Sequence, residues 1–284
     1  MRITITGGSG FIGAELSKFL LGKSYTIVIA DIREPSSKEL KDYFVFCDIT
    51  DPHQVQDAVR ESELVFHLAA NPNPGLAEKN PRWDLRINVM GTMNVIQSCL
   101  RNKSRMVFTS SAAVKYAPYS CYAISKRTAE KYILHYVRKR GLDASIVRLW
   151  NVYGPTQKEG FVIPDLIRKL KENPERVVVL GTGLDLRDFL FIDDAVRALW
   201  IVAEKGKSGE IYEVGTGNQI LIRELAVLLG ELMNKKRPEV IPSREIRSWS
   251  RREIEEDLEP IKKLGWRAQV SLEEGLRKVV EARE

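Results

Sequence analysis

The chain has 284 residues, of which 44% are hydrophobic and 29% charged, with a formal net charge of +6 and three cysteines, Cys47, Cys99 and Cys121, at no metal-like spacing. That is enough apolar material for one large core or two unequal ones, and the cysteine usage argues against a disulfide framework or a metal site. No apolar run approaches the roughly 20 residues of a membrane span, no basic run with interleaved aromatics marks a nucleic-acid surface, and a strand from Arg2 leaves no room for a leader, so a cytoplasmic protein is expected.

In chain order, strand-like segments at 2–6, 25–31, 43–47, 64–67, 105–109 and 144–149 alternate with helical patterns at 14–21, 51–61, about 81–101 and 122–140. Alternation of this kind predicts an α/β fold, with a Rossmann-type doubly wound parallel sheet. After residue 155 the pattern loosens into a helix at 161–171, a strand at 176–180, and helices at 222–234 and 272–282. The predicted division is a dinucleotide domain at 1–155 with about 188–205, and a smaller, mostly C-terminal substrate lobe at about 156–187 with 206–284.

The first strand runs into Gly7, Gly8, Ser9, Gly10, Phe11, Ile12 and Gly13, and then into the first helix. Glycines let the backbone approach a pyrophosphate, and a helix N-terminus supplies amides and a favourable dipole. The second strand ends in Asp31, where an acid would accept hydrogen bonds from a ribose diol and repel a 2'-phosphate. NAD is therefore expected over NADP, although Arg33, just past Ile32, suits a 2'-phosphate.

Further on, Ser111 ends an apolar run, and Tyr122 and Lys126 lie four apart at the start of a helix, on one face. An ammonium beside a tyrosine stabilises the phenolate, which a proton-abstracting tyrosine needs near neutrality.

These features combine with His67-Leu68-Ala69-Ala70, Asn151-Val152-Tyr153-Gly154-Pro155 and Arg187-Asp188-Phe189. The chain so resembles the extended short-chain dehydrogenase/reductases of the nucleotide-sugar epimerase/dehydratase type, over nearly its whole length. The resemblance implies Tyr122 as general base at a sugar 4-hydroxyl, Lys126 lowering its pKa and binding the nicotinamide ribose, and Ser111 hydrogen-bonded to the reacting oxygen. It assigns Asp48 and Ile49 to the adenine, Leu68, Ala69 and Ala70 to the cofactor beyond the fourth strand, and Asn88 to the buried asparagine of an N-x-x-G-T pattern. Asp48 as the cap of a turn, and the small residues as simple packing, are equally open readings.

For the substrate, a nucleotide-diphosphate sugar, the resemblance implies Asn151 and Arg187 at the diphosphate, Val162 in a uracil-side loop, and Arg247 as a second phosphate arginine. Arg187 pairing with Asp188 or Asp193 is the alternative. Related dehydratases and decarboxylases carry acidic residues directly after the serine or threonine; here Ala112 and Ala113 stand there, which favours a 4-epimerase of the UDP-glucose/UDP-galactose type. A dehydrogenase or reductase of another alcohol or carbonyl, an epimerase of a UDP-uronate or other nucleotide sugar, and a non-catalytic relative remain open. The ten residues between Ser111 and Tyr122 form a shorter loop than is usual in sugar epimerases. Apolar residues on several faces of the helices at 81–101 and 122–140, including Val95, Ile96, Ile133, Leu134 and Val137, together with the resemblance, predict a homodimer.

Overall fold

Ile3 and Ile5 of strand β1 (Arg2–Thr6) are fully buried, and so are Thr4 and Thr6 between them, as in a central strand covered on both faces. The structure is a computed structural model and describes residues 1–116, 120–234, 236–243 and 256–283. After β1 come α1 (Phe11–Leu21), β2 (Thr26–Asp31), β3 (Phe44–Phe46), α2 (Pro52–Val59), β4 (Leu64–His67), α3 (Pro74–Lys79), α4 (Pro81–Leu85), α5 (Thr92–Asn102), β5 (Arg105–Ser111), α6 (Cys121–Arg140) and β6 (Ala144–Leu149). They are followed by β7 (Asn151–Tyr153), α7 (Val162–Glu172), β8 (Arg176–Val179), β9 (Leu186–Phe191), α8 (Ile192–Lys205), β10 (Ile211–Val214), β11 (Gln219–Leu221), α9 (Ile222–Asn234), β12 (Glu239–Pro242), α10 (Glu259–Lys263) and α11 (Leu272–Glu281).

The chain forms two compact units. The first comprises Met1–Leu149, Ala195–Val214 and Glu259–Trp266. Its seven strands pair in parallel in the order β10-β6-β5-β4-β1-β2-β3. Chain order reverses between β1 and β4, and at such a switch point the connections leave in opposite directions and open a crevice at the carboxyl ends of the strands. β10 pairs with β6, so the return to this sheet extends past residue 205 into a segment that sequence reading gave to the substrate lobe. On α8, Trp200 packs against Phe19 and Tyr25 at centroid distances of 6.2 and 5.4 Å.

Apolar periodicity predicts one helix over 81–101, and the backbone is helical from Pro81 to Asn102 but widens into a π turn at Arg86–Gly91. Such a turn inserts one extra residue per cycle and rotates the side chains beyond it, which is a common device at functional sites. Val95, Ile96 and Ile133, read from sequence as part of an interface, are instead fully buried in the core with Met106 and Phe108, and Leu134 and Val137 pack against that core.

The second unit holds Trp150–Asp194, Gly215–Leu258 and Arg267–Glu284. In it, β9 lies between parallel β7 and antiparallel β11, and β12 pairs in parallel with β8. Tyr153 meets Phe189 and Phe191 edge-on and donates its hydroxyl to the Leu272 carbonyl at 3.3 Å.

Candidate active site

The glycine turn is closed to any larger residue. Gly7 adopts φ +71°, and a Cβ there would lie 2.6 Å from the Ala69 amide; one on Gly13 would lie 2.2 Å from the Gly7 carbonyl oxygen. Helix α1 starts at half-buried Phe11 and Ile12, with Gly10 at its cap, no side-chain cap hydrogen bond among the described residues and no acidic residue in its first turn. That is the form of a helix N-terminus that takes a phosphate.

Asp31, at the carboxyl end of β2, accepts from the Ser9 amide at 3.1 Å and from the Arg33 amide at 3.2 Å, so its carboxylate joins the glycine turn to the segment after β2. Ile32 and Arg33 are exposed beyond it. Asp48 caps a turn, accepting from the Thr50 amide at 2.8 Å, while Ile49 is buried and would touch a Cβ placed on Gly91. Half-buried Leu68, Ala69 and Ala70 follow β4, the Leu68 amide donating to the Thr6 carbonyl at 3.0 Å.

Asn88, inside the π turn, lies at the centre of a polar network that sequence reasoning did not find. Its Oδ1 accepts from the Asn71 amide at 2.8 Å; its Nδ2 donates to Asp84 Oδ1 at 2.9 Å and to Ser125 Oγ at 3.0 Å. Asn71 Nδ2 donates to the same Asp84 oxygen at 2.8 Å. The available signal was helical spacing, since Asp84 lies four residues before Asn88, one turn away on the same face.

Ser120 caps α6, accepting from the Ala123 amide, and the first turn of that helix carries Tyr122. The tyrosine hydroxyl is hydrogen-bonded to Ser111, whose Oγ accepts from the Ala113 amide at 3.1 Å. Lys126 is 3% exposed; its Nζ donates to the Thr109 carbonyl at 2.6 Å and sits 4.4 Å from the centre of the Phe108 ring. Burial drives the Lys126 ammonium down to about 8, with the carboxylates of Glu130 and Asp84 opposing the fall. The Tyr122 phenol moves opposite to the sequence expectation: burial pushes it up to about 12, the Ser111 hydrogen bond favours its ionisation, and the Asp84 charge opposes it. Desolvation of the phenolate outweighs the Ser111 hydrogen bond that favours it.

Behind α6, Arg148 clasps Glu130 through two bonds of 2.8 Å and reaches Glu213 at 3.4 Å, and Lys115 meets Glu213 at 2.7 Å. This network ties the 3₁₀ turn Ala112–Tyr116 to β10. Residues 117–119 of the short loop lie outside the described residues.

His67 is held neutral, its pKa down to about 3 by burial and then by the Lys126 charge, between the Thr6 and Thr92 hydroxyls. Cys121 donates its amide and thiol to Glu78. Among the described residues no group of three His, Cys, Asp or Glu side chains is placed to hold a metal ion.

In the second unit, the Asn151 side-chain Nδ2 donates to the Asp188 carbonyl at 2.8 Å, and exposed Val162 opens α7. Arg187 pairs with Asp185 at 3.3 Å and donates to the Leu186 carbonyl. Arg247 lies outside the described residues. Asp188, fully buried, accepts from the Thr216 amide and hydroxyl and the Gly217 amide at 2.6, 2.7 and 2.8 Å, and Glu256 hydrogen-bonds to it.

The switch point of the sheet, a glycine cradle that excludes any Cβ, an open helix N-terminus and a carboxylate closing β2 fit a dinucleotide. They define the fold of a short-chain dehydrogenase/reductase, with Ser111, Tyr122 and Lys126 as its candidate site. The chain belongs to the NAD dependent epimerase/dehydratase family, which it matches over residues 3–215. The UDP-glucose 4-epimerase of Mycolicibacterium smegmatis is 30% identical, with 99% of this chain and 98% of that protein covered. UDP-glucuronic acid decarboxylase 3 of Arabidopsis thaliana is also 30% identical, with 97% of this chain and 87% of that protein covered. The crystal structure of UDP-glucose 4-epimerase from Thermotoga maritima with UDP-glucose superposes with a TM-score of 0.90 at 29% identity, covering 100% of this chain and 98% of that one. NAD is thus the cofactor of the family to which this chain belongs, and relatives at equal identity run more than one reaction.

Proposed function

We propose that the protein is an NAD-dependent 4-epimerase of a nucleotide-diphosphate sugar, of the UDP-glucose/UDP-galactose type. The observation that carries the choice within the family is the residue pair after Ser111. Ala112 is buried and Ala113 half-buried on the 3₁₀ turn, and neither can move a proton at C5 or act on a carboxylate. A sugar oxidised at C4 then has no acid or base there to divert it, and its simplest fate is to recover its hydrogen on the other face.

The Gly7–Gly13 turn and Asp31 would hold NAD, which would supply the hydride acceptor and donor. Tyr122 takes the proton of the sugar 4-hydroxyl and returns it, with Ser111 donating to the same oxygen. Buried Lys126 keeps a positive charge behind them at neutral pH, which opposes the rise in the Tyr122 pKa. Arg187 and Asn151 are proposed contacts of the diphosphate, for which a guanidinium provides two parallel donors.

The test is incubation with UDP-glucose or UDP-galactose. We expect an epimer mixture with no net NADH, since each hydride returns to the sugar it came from. Tyr122→Phe should lower turnover by at least roughly 10²-fold, as loss of a general acid/base group does, while NAD still binds. Stoichiometric NADH without epimer would replace the reading by that of a dehydrogenase, and carbon dioxide released from a UDP-uronate would replace it by a decarboxylase.

A further inference from the structure

We infer that Asp84 is a positioning residue for Tyr122 and Lys126: through Asn88 and Ser125 it fixes the first turn of α6, and it sets a buried carboxylate against the Asn88–Ser125 pair that precedes Lys126. The inference rests on the catalytic reading of that pair.

A continuous chain of hydrogen bonds carries the first part. Asp84 Oδ1 accepts from Asn88 Nδ2 at 2.9 Å, the same nitrogen donates to Ser125 Oγ at 3.0 Å, and Ser125 Oγ donates to the Tyr122 carbonyl at 3.0 Å. Asn71 closes the network, donating its side chain to Asp84 at 2.8 Å and its backbone amide to Asn88 at 2.8 Å. Asp84, Asn71, Asn88 and Ser125 are each no more than 2% exposed, so no solvent competes for these bonds and the tyrosine backbone is held by the π turn.

The second part follows from what the carboxylate does not do. Asp84 Oδ2 is buried and takes no hydrogen bond from the described residues. A buried charged oxygen left unpaired costs free energy, whereas a neutral side chain could accept the same two bonds on Oδ1 at a smaller cost. What only the carboxylate adds is its charge. Among the described residues, the charged or titratable groups that face Lys126 are Glu130 one turn on and Tyr122 one turn back in α6, Asp84 from α4, and His67 from β4, which burial keeps neutral. Glu130 is already committed to Arg148 through both oxygens. Asp84 therefore opposes the loss of the Lys126 proton that burial favours, and by the same sign it keeps the Tyr122 proton in place.

The experiment is a pH titration of the Lys126 ¹³Cε resonance in lysine-labelled full-length protein, assigned by its absence in Lys126→Arg. We expect Asp84→Asn to move the midpoint to lower pH by roughly half a unit or more, since an opposite charge has been removed. Asn71→Ala loosens the same network and keeps the charge, so it should leave the midpoint in place. Asp84→Ser carries the same expectation should the Asn variant not fold. An unmoved midpoint in the neutral variants, or an equal shift in Asn71→Ala, overturns the inference. The titration needs no substrate, so its failure is distinct from that of the catalytic reading, which falls if Tyr122→Phe retains turnover.

Discussion

At the scale of single residues, two carboxylates make measurable claims. Asp31 keeps its carboxylate at the end of β2, and it is this charge that a 2'-phosphate would meet. NAD should therefore bind more tightly than NADP in a titration of the apo-protein. Asp31→Asn should weaken NAD by about tenfold, the worth of a charge-assisted hydrogen bond, and narrow the gap to NADP. Equal binding of both dinucleotides by the unaltered protein would give the decision to Arg33. Glu256 is the second case. Its Oε2 and Asp188 Oδ2 crowd Gly215, where a Cβ would lie 2.6 and 2.7 Å from them. Burial raises both carboxyls, but Asp188 accepts three hydrogen bonds that favour its ionised form, and Glu256 is pushed up to about 8 by burial and then by the Asp188 charge, so the protonated partner is assigned to Glu256. A carboxyl whose pKa is higher folded than unfolded contributes stability that is complete below its ordinary value of 4.5 and is lost as pH rises through about 8. Glu256→Gln keeps a donor to Asp188 and does not titrate, so between pH 6 and 9 its Tm should fall less than that of the parent, by on the order of 2 °C. Parallel curves would show that the pair does not share a proton.

At the scale of elements, the strand–turn–helix at the N-terminus is both legible and testable. The β1 pattern and the glycine spacing are local, and the backbone adopts that conformation because only Gly fits at Gly7 and Gly13. Gly13→Ala forces a Cβ onto the Gly7 carbonyl and should lower stability by about 1–3 kcal/mol and NAD affinity with it. Gly22→Ala, at the far end of α1, is the control. Its nearest neighbour would be 3.9 Å away and its backbone is already right-handed, so Tm should hold or rise slightly. Equal losses in the two variants would mean that the turn tolerates a side chain. The π turn was not legible, because its register is set by Asn88 meeting Asn71 and Ser125, contacts distant in sequence.

For the whole molecule, the expected assembly needs residues other than those the sequence suggested. Val95, Ile96 and Ile133 are consumed by the core, but Trp83, Leu85, Met90, Ile124 and Tyr132, on α4, the π turn and α6, are exposed. Large apolar side chains left on neighbouring helices are what a second copy covers. We expect a dimeric mass at micromolar concentration, and a monomer when Met90 and Ile124 are both changed to Glu. A monomeric parent would refute the assembly.

Local chemistry sufficed for the α/β alternation, the glycine turn, the Asp31 strand end and the Ser111, Tyr122 and Lys126 set, because each depends on spacing along one or two adjacent elements. Chain order alone could not show that β10 joins β6, since a four-residue edge strand has too little pattern to be assigned without its neighbour. Nor could it show that Arg187 engages Asp185, that Glu256 meets Asp188, or that Asp84 and Asn71 close on Asn88. The burial of Tyr122 was not legible for the same reason. A helix face brings the lysine near, but only the packed core around α6 sets how much water the phenolate loses, and that loss raises its pKa.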